Sequence, residues 1–575
     1  MKKLINDPAG VVPDMLRGFA LTNPGIALLG DGVVARTDAD SVRDRGQVAL
    51  ISGGGAGHEP AHAGYVGAGM LTAAVSGDVF SSPSADTVLK AIRAVGGPAG
   101  VLLIVKNYTG DRLNFGLAAE LARVEGMAVE MVVVGDDAAL ADDGANAGRR
   151  GLAGTVLVHK IAGAAAEEGL PLAEVTRVAT EAAASVATMG VALSACTVPA
   201  AGRPGLELGD DEIEWGLGIH GEPGVERGPA RPADEVVDRM LGRLVTDRRI
   251  QAGERVVLLV NNLGGTPTME LGIVAQRAIA NLASAGIQLE RAWVGSFLTA
   301  LEMAGCSLSI ARVNDNMLSR LDAPTKTTAW PAAHIGAVST GATVQAAAIK
   351  APATAAPVLG LAEDSELWQA ITAVCEALIG AEAQLTDLDQ LVGDGDLGIS
   401  LARGARAVLT ELPRYEGTDA AAVLRGVAGT VRRTVGGTSG PLYAALLLRT
   451  AATLETGTAK PAGVWIEAFA AGVDAIAELG GARVGDRTML DALHPAAKAL
   501  RTAVQAGTGV DAALAIARNA ARKATDETAG ILARRGRSSY LGDRALGVVD
   551  PGAEAVVIWL EAIRTGLAVK QAPVS

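Results

Sequence analysis

His220 stands in the stretch Gly218-Ile219-His220-Gly221-Glu222-Pro223-Gly224. Glycines on both sides strip away steric cover, so the backbone can approach a ligand closely and the imidazole can stand exposed. A histidine so placed can act as a nucleophile or as a general acid/base, whereas a loop histidine without partners is more often held by a backbone hydrogen bond.

A second group of chemical residues lies far along the chain, in Asp389-Gln390-Leu391-Val392-Gly393-Asp394-Gly395-Asp396-Leu397-Gly398. Carboxylates this close repel one another unless a cation sits among them. Asp389, Asp394 and Asp396 therefore read as ligands for Mg²⁺ bridging nucleotide phosphates. The spacing is not that of an EF-hand. Downstream, Gly436-Gly437-Thr438-Ser439-Gly440 opens a helical run and has the makings of a phosphate cradle. Charged turns around Asp486, Thr488, Met489, Arg537, Asp550 and Pro551 complete a candidate Mg²⁺-nucleotide site. No Gly-Lys dipeptide occurs, so a Walker A loop is excluded.

Upstream, Ser52-Gly53-Gly54-Gly55-Ala56-Gly57-His58-Glu59-Pro60 follows a predicted strand and can present backbone N–H groups to ligand oxygens. It is not a dinucleotide fingerprint. His58-Glu59-Pro60-Ala61-His62 matches HExxH, but the four glycines before it and the internal proline are incompatible with the regular helix that zinc proteases need. In Val105-Lys106-Asn107-Tyr108-Thr109-Gly110-Asp111-Arg112, at a strand end, Asp111 is a candidate general base and Lys106 a candidate polar contact to substrate.

The elements that must position these groups fall into two classes. Strands are predicted over Val48–Ser52, Val101–Lys106, Val129–Val134, Arg255–Asn261 and Ala292–Ser296, with helices such as Ala85–Val95 and Phe115–Glu125 between them. That alternation predicts an α/β domain with a substantially parallel sheet over residues 1–330. A Gly/Pro/Glu-rich loop at 197–228 divides it into two subdomains. Residues 331–360 read as an Ala/Thr/Pro linker. Beyond it, Ser365–Gln384, Ala420–Arg433, Trp465–Leu479, Met489–Ala506, Gly509–Ala533 and Ala553–Leu567 show helical spacing, which predicts an all-α bundle or barrel over 361–575.

Composition narrows the function classes. At 575 residues the chain needs more than one core. Its net charge of -13, without a basic block, argues against nucleic acid and anionic membrane. Cys196, Cys306 and Cys375 lie far apart, form no disulfide framework and suggest a reducing compartment. The start lacks a signal-peptide apolar run, and no apolar stretch reaches the ~18 residues of a membrane span, so a cytoplasmic protein is expected.

Taken together, the motifs GGGAGHEPAHAGYVGAGML, KNYTGDRLNFGLA, GLGIHGEPG, NNLGGTPTMELG, LDQLVGDGDLG, GGTSGPLYAAL and GDRTMLDALHPA stand in the order found in single-chain, ATP-dependent dihydroxyacetone kinases, which this sequence resembles over nearly its whole length. The resemblance implies a substrate-binding K domain and an ATP-binding L domain built as an all-α helical barrel. It implies that His220 captures a ketose as a covalent hemiaminal, that His58 hydrogen-bonds a substrate oxygen, and that Asp111 takes the proton of the terminal hydroxyl. Gly53, Gly54, Phe80, Ser82 and Lys106 would line the pocket. Asp389, Asp394 and Asp396 would hold two Mg²⁺ ions, and Gly436, Gly437, Thr438 and Ser439 would meet the phosphates of ATP. A homodimer with each L domain facing the partner's K domain is also implied. The substrate would be dihydroxyacetone or a tetrulose such as erythrulose. Phosphocarrier-dependent transfer, an FAD-cyclising lyase and a silent ketose sensor are the alternatives. Three positions depart from the family pattern: Gly398-Ile399-Ser400, Pro441 and Val548-Val549.

Overall fold

The computed structural model describes residues 2–30, 32–140, 148–204, 208–221, 224–331, 365–393, 395–415, 419–436, 438–456, 461–535, 537–540 and 542–568. The chain divides into two units, 1–346 and 347–575. The expected linker lies almost wholly outside the described residues.

The first unit contains two six-stranded sheets. The first is built from β1 (Ile26–Leu28), β2 (Val33–Arg36), β3 (Ala49–Ala56), β4 (Ala73–Val79), β5 (Val101–Lys106) and β6 (Val129–Val134), in the order β1-β2-β4-β3-β5-β6. The second is built from β7 (Val186–Ala192), β8 (Glu212–Trp215), β9 (Glu226–Pro229), β10 (Arg255–Asn262), β11 (Gln288–Gly295) and β12 (Gly305–Arg312), in the order β11-β10-β12-β7-β8-β9.

Three expectations change here. The first sheet is parallel from β4 through β6, but in the second only β10 and β11 run parallel. Strand β12 returns beside β10 without a crossover helix, and an antiparallel pair needs none. The chain has already entered the second sheet at β7, so 197–228 is not the divide between subdomains; it holds β8 and the start of β9. Strand β11 starts at Gln288, earlier than expected. It is an edge strand whose Glu290 and Arg291 pair with Arg255 and Asp322, so polar residues there do not end it.

Alternation along the strands assigns each face to a different core. Leu50, Leu102 and Ile104 point into a central core, and Ala49, Ile51, Leu103 and Val105 into an outer one covered by Ala85–Val95 and Thr109–Val124. Likewise Val257 and Leu259 face the central core, while Val256, Leu258 and Val260 face the helices Ala233–Arg248 and Thr268–Ser284. The helices Thr155–Glu167 and Leu172–Ser185 contribute to the central core. The first of these is buried from Thr155 to Ala166, so it has no polar face and no amphipathic signal.

In the second unit the predicted helix Ser365–Gln384 is two helices, Glu366–Gly380 and Glu382–Val392, joined at Ala381. Leu397–Glu411, Ala420–Thr434, Ser439–Thr456, Pro461–Gly480, Met489–Gln505, Val510–Glu527 and Pro551–Ala568 follow. Each packs on its neighbours, and Glu366–Gly380 packs against Pro551–Ala568, which closes a ring. The ring encloses a cavity of about 730 Å³ lined by apolar side chains such as Ile371, Leu401, Phe469 and Leu560, so the unit is a barrel rather than a solid bundle. Gly398 makes the close crossing of two helices: a Cβ there would stand 2.1 Å from the Glu382 carbonyl oxygen.

Candidate active site

The glycines Gly53 to Gly55 lie inside β3 rather than in a loop after it. The reason is close backbone approach. A Cβ on Gly53 would stand 2.2 Å from the Val75 carbonyl oxygen, and one on Gly55 2.5 Å from the Ser81 nitrogen. Beyond β3 the segment 57–59 is bound to residues 299–301. The Leu301 N–H donates to the Gly57 carbonyl (2.8 Å), the Thr299 N–H to His58 (3.2 Å), and the Thr299 hydroxyl to Glu59 (2.8 Å). His58 completes the set: its Nδ1 lies 2.7 Å from the Thr299 carbonyl oxygen. A carbonyl can only accept, so Nδ1 carries the proton and Nε2 presents a lone pair. That Nε2 is buried without a hydrogen-bond partner among the described residues, a polar atom aimed where a ligand hydroxyl could meet it.

Four rings meet at this point. His58 stacks on Phe80 (centroids 5.1 Å apart) and meets His220 edge-on (4.9 Å). His220 also stands edge-on to Phe80 (5.2 Å) and Tyr108 (4.6 Å). His220 is partly exposed, whereas His58 is buried. Burial, then the charges of His220 and Lys106, hold His58 well below the ordinary imidazole range, so it is neutral at pH 7. Residues 162 positions apart in sequence thus form one pocket wall.

Asp111 and Lys106 lie beside that wall. Contrary to a strand-end position, Asp111 sits in the first turn of the helix Thr109–Val124. Asp111 is buried, and Ser82 Oγ donates to its Oδ1 at 2.5 Å. Lys106 is fully buried at the end of β5 and donates to the Gly53 carbonyl (3.2 Å) and to His62 Nε2 (2.8 Å). Burial lowers its pKa and the Asp111 charge opposes the fall. Gly54 covers both groups: at φ +153°, a Cβ there would stand 2.5 Å from Lys106 Nζ and 3.3 Å from Asp111 Oδ2. Gly53, Gly54, His58, Phe80, Ser82, Lys106, Asp111 and His220 therefore converge. The two HExxH histidines do not act together, since His58 faces His220 and His62 faces Lys106 and His159.

In the helical unit, Asp389 lies in the last turn of the helix Glu382–Val392, and Asp396 is the N-cap of the next, Leu397–Glu411. Asp389 Oδ2 accepts the N–H groups of Asp396 (3.0 Å) and Leu397 (3.3 Å). Gly393 makes room for it, because a Cβ there would stand 2.3 Å from Asp389 Oδ1. These hard oxygen donors suit Mg²⁺. Asp394 and Gly437 lie outside the described residues, as does the Arg537 side chain. The glycine loop adjoins this junction: Ser400 Oγ accepts the Gly436 N–H at 2.8 Å. Ser400, one of the departures from the family pattern, thus ties the loop to the aspartate helix. Thr438 is exposed, and Ser439 begins the helix Ser439–Thr456.

The remaining predicted nucleotide residues form a second cluster. Thr488 caps Met489–Gln505 in a reciprocal capping box with Asp491. Asp486 accepts the Arg483 N–H at 2.9 Å. Asp550, ahead of Pro551, is buried; it accepts the Ala553 N–H at 2.8 Å, and burial pushes its pKa up to about 7. Its Gly552 neighbour packs on Met489. Sequence reasoning passed over Arg487, which is buried and donates to the carbonyls of Thr528 (3.2 Å), Ala545 (2.9 Å) and Val548 (2.8 Å). The segment Gly542–Ala545 also packs on the helix Glu382–Val392 that bears Asp389, so the two clusters are neighbours. It also passed over Thr299, Ser52 and His159. Thr299 carries no local signal, because its contact with His58 spans 241 residues.

Residues 17–329 match the Dak1 domain model and residues 391–565 the DAK2 domain model. The chain is 43% identical over 576 residues to the triokinase/FMN cyclase of Homo sapiens, with 98% of each chain covered. It is 38% identical over 570 residues to the dihydroxyacetone kinase of Citrobacter freundii, covering 97% of this chain and 98% of that one. The crystal structure of the C. freundii dihydroxyacetone kinase in complex with AMP-PNP and Mg²⁺ superposes with a TM-score of 0.61 at 35% identity, over 98% of this chain and 99% of that chain. No helix among the described residues is long and apolar enough to cross a membrane. With both domain models matched in sequence and relatives alike from end to end, the chain belongs to the single-chain dihydroxyacetone kinase family.

Proposed function

We propose that this chain is an ATP-dependent kinase that phosphorylates the terminal hydroxyl of a short ketose, dihydroxyacetone or a tetrulose such as erythrulose. The observation that carries the reading is the meeting of His58, Phe80, Tyr108 and His220 around one partly exposed imidazole, beside Asp111 and Lys106. A ring nitrogen of His220 attacks the carbonyl carbon. The π pair moves onto the carbonyl oxygen, which takes up the proton the imidazole gives up, and a hemiaminal results. Glycerol has no carbonyl and escapes capture. The lone pair on His58 Nε2 accepts from a substrate hydroxyl, and Phe80 backs the His58 ring. Asp111, steadied by Ser82, takes the proton of the terminal hydroxyl as that oxygen attacks the γ-phosphate. Gly53, Gly54 and Lys106 supply the polar floor.

In the helical unit, Asp389, Asp394 and Asp396 would hold two Mg²⁺ ions, which when bound neutralise phosphate charge. Gly436, Gly437, Thr438 and Ser439 would meet the phosphates, and Asp486, Thr488, Met489, Arg537, Asp550 and Pro551 the rest of the nucleotide. The protein works as a cytoplasmic homodimer in which the helical unit of one protomer serves the ketose site of its partner; sedimentation equilibrium giving a 58.0 kDa monomer would refute that assembly.

The test is ADP release from Mg-ATP with dihydroxyacetone, D-erythrulose, L-erythrulose, glyceraldehyde and glycerol side by side. Turnover of a carbonyl sugar with glycerol inert is expected. An unchanged apparent affinity for ketose in His220→Ala would overturn covalent capture.

A further inference from the structure

Behind the ring cluster lies a second set of buried groups that the proposed reaction does not use. Ser52, His62 and His159 are all buried, and they run in a line from Lys106 into the central core. The two imidazoles meet edge-on, with centroids 5.1 Å apart.

Their protons can be assigned by elimination. The Lys106 ammonium has donors only, so His62 Nε2, 2.8 Å away, must accept, and His62 carries its proton on Nδ1. That nitrogen faces Ser52 Oγ at 3.4 Å. The Ser52 hydroxyl spends its own proton on the Ile104 carbonyl at 2.7 Å. His159 Nε2, 3.1 Å from the same oxygen, must therefore donate. Every proton in the row has one consistent place, and each imidazole is neutral, as burial of both requires.

Resting on the ketose site proposed above, we propose that His62 is a positioning residue, whose Nε2 holds the Lys106 ammonium beside Gly53, Gly54 and Asp111, with Ser52 and His159 fixing the His62 tautomer. Lys106 is fully buried, and it donates to the Gly53 carbonyl and to His62. Loss of the imidazole acceptor leaves a buried N–H unmatched, which favours the neutral amine and frees the side chain to swing. The titratable groups that face Lys106 are Asp111 from the helix Thr109–Val124, His58 and His62 from the segment after β3, and His159 from the helix Thr155–Glu167. Only Asp111 among these favours the ammonium.

The full-length chain with His62→Gln, His62→Asn and His62→Leu separates position from mere polarity. A glutamine amide reaches where Nε2 stands and an asparagine amide stops near Nδ1. Steady-state kinetics with dihydroxyacetone and Mg-ATP are measured against pH. His62→Gln is expected within about threefold of wild type, whereas Asn and Leu raise the ketose KM about tenfold or more, leave the ATP KM unchanged and move the alkaline limb of kcat/KM to lower pH. Asn matching Gln, or Leu with a wild-type ketose KM and alkaline limb, would overturn the proposal; where Leu does not fold, the Gln and Asn pair decides. A readout independent of turnover is the ¹⁵N spectrum of the six histidines, assigned by substitution. His62 is expected as the Nδ1–H tautomer and His159 as the Nε2–H tautomer, and the opposite form at His62 refutes the assignment even if no ketose is turned over.

Discussion

The Nδ1 atom of His58 lies 2.7 Å from the carbonyl oxygen of Thr299, and so one hydrogen bond fixes both the orientation and the tautomer of the ring that faces His220. His58 follows a strand of the first sheet and Thr299 follows one of the second, so the pocket depends on the two sheets holding their relation. His58→Ala is expected to lower kcat/KM for ketose by about 10- to 100-fold, through loss of one buried hydrogen bond to substrate and of the Phe80 stacking partner. The ATP KM should not move. Equal losses in both KM values would show a global rather than a local effect.

His58, His62 and His159 are three buried imidazoles held below their ordinary pKa by burial, His159 to about 3. The unfolded chain binds their protons near pH 6.5 and the folded chain does not. The stability they contribute is therefore present above about pH 6.5 and is lost as pH falls toward the folded pKa values, by up to about 1.4 kcal/mol per pH unit for each group. Denaturant unfolding from pH 7.5 to pH 5 should show a slope that flattens in His159→Phe. An unchanged slope would show that His159 is not kept neutral.

Asp111 is expected to separate binding from chemistry. Asp111→Asn keeps the Ser82 contact, since the amide oxygen can still accept, but it cannot take a proton. A loss of about 10² to 10⁴ in kcat with ketose binding retained is the outcome for a general base. Ser82→Ala removes the donor at 2.5 Å and should cost much less, as its role is to steady the carboxylate. A larger loss in Ser82→Ala than in Asp111→Asn would reverse the assignment.

What the sequence made legible follows from range. The β-branched runs Val101–Lys106 and Val129–Val134 are strands with the expected ends, because local pattern and burial agree there. The helix Leu397–Glu411 carries Gly398 and Gly404, which weaken its signal; their packing value, where Gly398 meets the Glu382 carbonyl, exists only once a second helix is present. Site residues at motif glycines and aspartates stood out because those types have special chemistry. Thr299 and His159 have ordinary local surroundings and acquire their roles from partners 241 and 107 residues away.

Asp550 and Arg487 provide the corresponding prediction for the helical unit. Burial raises Asp550 to about 7, and the Arg487 charge only partly offsets it, because Arg487 spends its donors on three carbonyls. A carboxyl with a raised folded pKa stabilises the fold below its unfolded value of 3.8, and that stability is lost as pH rises through about 7. The loss is on the order of 4 kcal/mol if the whole shift is realised. Asp550→Asn keeps an acceptor for the Ala553 N–H and cannot ionise. Its Tm should match wild type below about pH 4 and exceed it by a growing margin as pH rises to 8. A variant less stable than wild type at pH 8 would mean that ionised Asp550 is paired with Arg487 strongly enough to outweigh its burial.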